Sequence, residues 1–248
     1  HVTLEHGTGC VHTAPGHGVE DYEVGRAHDL EVPQTVGDDG RFYDHVPQFA
    51  GEHVFKVDGK VADALDGEGA LLARGKLRHS YPHSWRSKAP VIYRNTPQWF
   101  ISMETNGLRD KALAAIDGTR FYPSSGQHRL RGMIENRPDW CVSRQRAWGV
   151  PITVFVNKET GEPLRDAGVL ERIVEAVGKE GADCWFDGNP ARFLGNDYNP
   201  DDFEQVSDIL DVWFDSGSTH SFVLEQREDL KWPASPYLEG SDQHRGWF

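Results

Sequence analysis

The run 166–177 constrains the fold of this chain more than any other stretch. Asp166 can cap a helix, Val169, Leu170, Ile173, Val174 and Val177 recur at helical spacing as one apolar stripe, and Gly178 offers a stop. A β-rich run, 152–156, precedes it and leads into a turn at 157–161. A second apolar run, 209–214, follows and reads as a buried strand and then a turn. A chain with that helix between two β-rich runs is mixed α and β.

Elsewhere the signals are shorter. Residues 8–13 read as extended, 14–18 as a turn and 19–30 as a helix. Gly37-Asp38-Asp39-Gly40 between Thr35-Val36 and Arg41-Phe42-Tyr43 predicts a hairpin. Residues 58–73 carry apolar positions at helical spacing. Near Leu77 the texture turns aromatic and basic (79–86) and leads to a strand candidate at 91–93. Helices are expected over 106–116, closed by Gly118, and over 127–136. Residues 189–208, with Pro190 and Pro200, read as a polar connector. At 248 residues the chain can hold one large or two modest domains around a real core.

No apolar run approaches a membrane span. The start at His1 has no initiator Met, basic n-region or apolar h-region, so it reads as neither a signal peptide nor a natural N-terminus. Cys10, Cys141 and Cys184 are scattered and lack Cys-x-x-Cys spacing, as expected of reduced thiols in a cytoplasmic protein. The net charge of −13 argues against a polyanionic partner, but its distribution argues the other way. Residues 69–103 hold no acid, while Arg74, Lys76, Arg78, Arg86, Lys88 and Arg94 fall there. Residues 180–215 hold ten acids and a single base, Arg192. A nucleic acid would meet the middle of this chain; solvated faces with local ion pairs are the plainer alternative.

Four blocks carry chemistry. In Gly7-Thr8-Gly9-Cys10-Val11-His12-Thr13-Ala14-Pro15-Gly16-His17-Gly18-Val19-Glu20-Asp21-Tyr22, small residues let a ligand approach the backbone. His12, His17 and Asp21 supply proton transfer and ammonium binding. Pro15 and Gly16 keep the two histidines off one helical face, against a zinc-hydrolase pair. In Trp140-Cys141-Val142-Ser143-Arg144-Gln145-Arg146-Ala147-Trp148, Arg144 and Arg146 between two indoles suit phosphate contact and base stacking. Core tryptophans with ion-paired arginines fit that spacing as well. The last two blocks, 211–220 and 239–248, each set an indole beside short polar and acidic residues. Trp213 and Trp247 could wall a small apolar side chain, while Glu239, Asp242 and Gln243 bind an amine and hydroxyls.

Taken in order, these blocks closely resemble the bacterial isoleucyl-tRNA synthetases, a family of class I aminoacyl-tRNA synthetases. The resemblance covers essentially the whole chain. It implies the C-terminal part of an inserted editing domain over 1–78, a connective region over 79–206, and over 207–248 the start of the second half of a Rossmann-type catalytic domain. It also implies that Trp213 and Trp247 contact the isoleucine side chain, and that Glu239, Gly240, Asp242 and Gln243 line the aminoacyl-adenylate site. Asp21 would hold the α-amino group of mischarged valine, with His12 near the scissile ester and a positioned water as nucleophile. Arg144 and Arg146 are candidates for tRNA contact. Isoleucine, ATP with Mg2+ and isoleucine tRNA are the implied ligands of a monomeric, cytoplasmic enzyme that is not membrane-bound. A second site is physically necessary. One methylene in an apolar pocket is worth roughly 1–3 kcal/mol, a range for which isoleucyl synthetases are themselves the standard example.

The chain departs from the family pattern in several places. Neither a His-Ile-Gly-His-type segment nor a Lys-Met-Ser-Lys-Ser loop occurs, and the threonine-rich strand of the editing pocket is missing. This stretch alone is therefore expected not to activate isoleucine. Ser84-Trp85-Arg86-Ser87 stands where some relatives carry Cys-x-x-Cys; serine oxygens do not replace thiolates, so no zinc is expected. The abrupt end at Phe248 reads as a cut through a larger protein. Three other readings stay open. They are a valyl-type synthetase segment, a metal-dependent hydrolase built on the histidines of 1–28, and an RNA-binding module on the basic 74–146 span.

Overall fold

The computed structural model describes residues 2–3, 5, 7–240 and 243. The chain forms two compact units, residues 1–97 and 98–248, so the change of texture near Leu77 falls inside the first.

In the first unit, α1 (Val19–Ala27) starts at Gly18 and ends three residues short of Leu30, because Asp29 has left helical geometry at φ 55°. The expected hairpin is present: Val36 bridges Phe42, and Gly37 N–H donates to Arg41 O at 2.8 Å. Helix α2 (Asp58–Gly67) stops before Ala73, closed by a turn in which Ala70 N–H returns to Leu65 O at 2.8 Å, and Leu72 beyond it is fully exposed. Residues 91–93 are not a strand. Pro90 has no N–H to donate to a ladder, and Val91 pairs singly, its N–H to Pro82 O (3.1 Å) and its carbonyl to the Tyr81 hydroxyl (2.9 Å).

The second unit opens with β1 (Phe100–Ile101), which pairs antiparallel with β2 (Trp140–Cys141). Between them lie α3 (Leu108–Gly118) and α4 (Ser125–Glu135). Asn106 and Gly107 adopt positive φ, so α3 begins two residues later than the spacing predicts. Arg109 ties the two helices by donating to the carbonyls of Ile134 (2.7 Å), Glu135 (3.2 Å) and Arg137 (2.9 Å) at the end of α4. Then β3 (Ser143–Arg144) pairs with β6 (Ile209–Leu210), and β4 (Phe155–Asn157) with β5 (Phe203–Gln205), both antiparallel. The chain is mixed helix and sheet, and every strand pair among the described residues is antiparallel.

The long helix, α5 (Ala167–Glu180), is capped as expected: Val169 N–H donates to Asp166 Oδ1 at 2.8 Å. It does not stop at Gly178. A helical glycine costs only about 1 kcal/mol, and the left-handed turn is made instead by Gly181, at φ 87°. The apolar stripe is narrower than its spacing predicts. Val169, Ile173 and Ala176 are buried, whereas Leu170 (56% exposed) and Val174 (64%) face away.

That face packs on Phe155, Cys184, Trp185, Phe193 and Leu194, with Leu164, Val177, Tyr198 and Phe203 at its edge. Four of these lie in or beside the supposed connector. Residues 189–208 are thus no connector: they supply α6 (Ala191–Leu194), β5 and part of the core. Arg172 of α5 anchors the segment by donating to the carbonyls of Phe193 (2.6 Å) and Leu194 (3.0 Å).

Asp166 also accepts from the Tyr198 hydroxyl at 3.0 Å. The Val169 N–H and then the Tyr198 hydroxyl hold its carboxyl below the ordinary value of 3.8. A depressed folded value contributes stability above the unfolded value and loses it as pH falls through the folded one. We therefore expect Asp166→Asn, which keeps a capping oxygen but no charge, to melt lower than the parent at neutral pH. The gap should close on acidification below 3.8; a gap that stays constant with pH would refute a charge effect.

Candidate functional site

The terminal block is built around a buried aspartate. The apolar run 209–214 does not stay extended: β6 ends at Leu210, and α7 (Val212–Gly217) begins at once. Asp211 is the switch, since its Oδ1 accepts the Trp213 N–H at 3.0 Å as a helix cap. It is 6% exposed, and its backbone N–H donates to Val142 O at 2.7 Å. Its second oxygen, Oδ2, accepts from Trp140 Nε1 at 3.3 Å and is paired with the Arg144 guanidinium. The other arm of Arg144 donates to the carbonyls of Cys141 (2.8 Å) and Ser143 (2.7 Å).

A polar layer continues from β3. Ser143, buried, donates from Oγ to Gln98 Oε1 (2.7 Å) and accepts from Trp99 N–H (2.9 Å). Gln145 bridges Gln98 Oε1 (3.2 Å) and Asp208 Oδ2 (3.1 Å). Trp140 is half-buried. Its N–H is bonded, Phe214 lies 6.4 Å from its ring, and Arg137 sits 5.9 Å above it. Of the two candidate tRNA contacts, Arg144 is engaged within the chain, while Arg146 is exposed and donates to Gln145 O at 2.8 Å.

Trp213 and Phe214 are half-buried, as is Asp215 one helical turn after Asp211. Burial pushes the Asp215 carboxyl above the usual aspartate range, and the Asp211 charge adds to the push. Glu239 is half-buried, and its carboxylate beside the Tyr237 hydroxyl raises the phenol. Gly240 is exposed, and Gln243 N–H donates to its carbonyl at 3.2 Å. Trp247 and Asp242 lie outside the described residues.

In the first unit, Asp21 stands in the first turn of α1, and its Oδ2 accepts the Ala14 N–H at 2.8 Å, folding the 14–18 turn back onto the helix. His12 is exposed. His17 has a structural position: Nδ1–H donates to Tyr93 O at 3.0 Å, which leaves Nε2 to accept the Thr35 hydroxyl at 3.3 Å. A cleft of about 610 Å³ runs between the extended residues and α1, lined by Val2, Gly9, Val11, Thr13, Glu23, Val24, Ala27 and His28. His12 and Asp21 are not among its lining residues.

Two features escaped the sequence reading although their signals were there. An aspartate directly before Val-Trp-Phe is a helix-cap pattern, and Glu23, Ala27 and His28 recur on one helical face. The aromatic and basic span does expose rings and cations together. Trp85 is exposed with Arg86 4.8 Å from its ring centre, and Arg120 sits 4.8 Å from the Tyr122 ring. Trp148 is 88% exposed.

A family profile described as class I tRNA synthetases (I, L, M and V) matches residues 13–248. Among curated relatives, an isoleucine--tRNA ligase of Pelagibacter ubique is 58% identical over 247 residues, covering 100% of this chain and 27% of the relative. Isoleucine--tRNA ligases of Gluconobacter oxydans (58%, 27% of its length) and Caulobacter vibrioides (54%, 28%) also match across 100% of the chain. The chain thus spans about a quarter of the length of the curated relatives it matches.

Proposed function

Because the chain belongs to the class I tRNA synthetases that serve isoleucine, leucine, methionine and valine, we propose that it is a segment of an isoleucine--tRNA ligase. The whole enzyme would activate isoleucine with ATP, charge its tRNA and hydrolyse mischarged valyl-tRNA. The observation that carries this reading is similarity to isoleucine--tRNA ligases along the full chain, not in one motif. Within it, residues 1–78 belong to the editing domain, 79–206 connect it to the catalytic core, and 207–248 open the second, Rossmann-type half of that core.

In activation, Trp213 and Trp247 form flat walls for the isoleucine side chain. Glu239, Gly240, Asp242 and Gln243 hold the polar end of the amino acid and its adenylate. Class I synthetases use ATP with Mg2+. Among the described residues no group of three or more His, Cys, Asp or Glu side chains is arranged to hold a metal ion. In activation the part of this segment, on this reading, is to bind and orient the amino acid. In editing, Asp21 receives the α-ammonium of a misattached valine. The Ala14 N–H fixes one carboxylate oxygen, and the other would take the ammonium. His12 stands near the ester that a positioned water attacks. Arg146 and the exposed Trp85–Arg86 pair are the tRNA contacts best supported by position. No helix among the described residues is long and apolar enough to cross a membrane. We propose a cytoplasmic monomer.

Two variants in the full-length enzyme test the reading. Asp21→Ala should let valyl-tRNA accumulate. Trp213→Ala should raise the KM for isoleucine by about 10-fold, the loss of part of an apolar wall. Unchanged valyl-tRNA levels would remove Asp21 from editing, and an unchanged KM would make Trp213 ordinary core.

A further inference from the structure

We propose that Arg144 and Asp211 form a positioning pair that holds the Trp213 wall in register for isoleucine; this rests on the reading of Trp213 as part of the amino-acid site. Helix α7 is only six residues long, and Val212 at its start is largely exposed. In so short a helix the cap sets the first turn, the one that carries the indole. Discriminating one methylene needs that indole held to a fraction of its own thickness.

The cap is fixed from both sides. Asp211 divides its oxygens: Oδ1 holds the Trp213 N–H, and Oδ2 takes Trp140 Nε1 and the Arg144 guanidinium. Arg144 in turn grips the carbonyls of Cys141 and Ser143, and the Asp211 N–H is tied to Val142 O. A continuous line of hydrogen bonds therefore runs from the 141–143 backbone to the Trp213 backbone. The guanidinium divides these contacts between two nitrogens, Nη1 on the carbonyls and Nη2 on the carboxylate, where an ammonium has a single nitrogen. The two motifs, 67 positions apart, are thus one device.

The test is amino-acid activation by the full-length enzyme, measured by ATP–pyrophosphate exchange. Asp211→Asn keeps the capping oxygen and removes the charge that holds Arg144. It should raise the KM for isoleucine by about 10-fold, with kcat and the KM for ATP within about 2-fold. Trp140→Phe removes the indole N–H together with the pyrrole edge of the ring, keeps an aromatic ring beside Phe214, and should raise the same KM by about 3-fold. It keeps the test decisive if Asp211→Asn does not fold. Arg144→Lys should fall between Arg144→Met and the parent. If Trp213→Ala raises the isoleucine KM while Asp211→Asn and Trp140→Phe leave it unmoved, the pair does not position the wall. Equal losses in kcat and in both KM values, together with a lower melting point, would reduce the pair to a structural ion pair. An isoleucine KM unmoved even by Trp213→Ala would remove the site reading itself, and the pair's proposed role with it.

Discussion

Replacing Trp185 with alanine should lower the unfolding free energy of the chain by about 3–5 kcal/mol, the range for emptying a large aromatic site. Trp185 is fully buried between Phe155, with ring centres 5.0 Å apart, and Phe193, at 5.3 Å. Its indole N–H donates to Val206 O at 2.8 Å, and its own carbonyl accepts from Gln205 Nε2. Alanine would open a cavity under α5 and leave the Val206 carbonyl without its donor. Trp185→Phe loses the hydrogen bond and the pyrrole edge of the indole but keeps an aromatic ring in the site, so it empties less of it. Its cost should be about 2–3 kcal/mol. Urea unfolding followed by far-ultraviolet circular dichroism measures both; a Trp185→Ala loss below that of Trp185→Phe would contradict the packing described.

The second large effect is expected at Gly149, whose φ of 151° lies where side chains are strained. A Cβ there would stand 2.4 Å from Ile209 Cδ1 and 3.2 Å from Ile209 Cβ. Ile209 is buried and cannot swing clear, and Leu210 beside it is tied to Val150 O at 2.7 Å. Strain and overpacking together should make Gly149→Ala about 3 kcal/mol less stable than the parent. Ile209→Val deletes the Cδ1 atom and relieves the closest contact but not the backbone strain. In the parent that change should cost about 1 kcal/mol; in the Gly149→Ala background it should restore stability. The double-mutant cycle measures the coupling, and simple additivity would mean that the clash does not occur.

Local chemistry was legible in the sequence, and burial across long separations was not. The Asp166 cap, the hairpin at 37–40 and the Asn157–Gly161 turn all rest on neighbours within a few residues, and they form as read. Gly178 misled because a glycine inside a helix is only mildly unfavourable, and the decisive left-handed residue came three positions later. The 209–214 run misled because a short apolar run has no period to tell strand from helix; the cap at Asp211 decides it. Phe193 and Leu194 sit among polar residues, so nothing local marks them as the centre of the core. At the candidate site, the residue types were legible from their motifs. The bond between Arg144 and Asp211 was not, since it joins residues that only the fold brings together.

The apolar cluster of the second unit has a consequence for the order of events as the chain folds. Every member, from Phe155 to Phe203, falls within a single stretch bounded on one side by Arg144 and on the other by Asp211. Closing a loop between those two residues in an open chain is entropically unfavourable, and more so the longer the loop. Once the intervening stretch has collapsed, with β4 paired to β5, the separation left to close is short. The ion pair is therefore expected to be a late contact, formed after the cluster has collapsed, and Asp211→Asn should speed unfolding while leaving the folding rate nearly unchanged. The turn that carries Trp213, capped by Asp211, would take its final place in that same step.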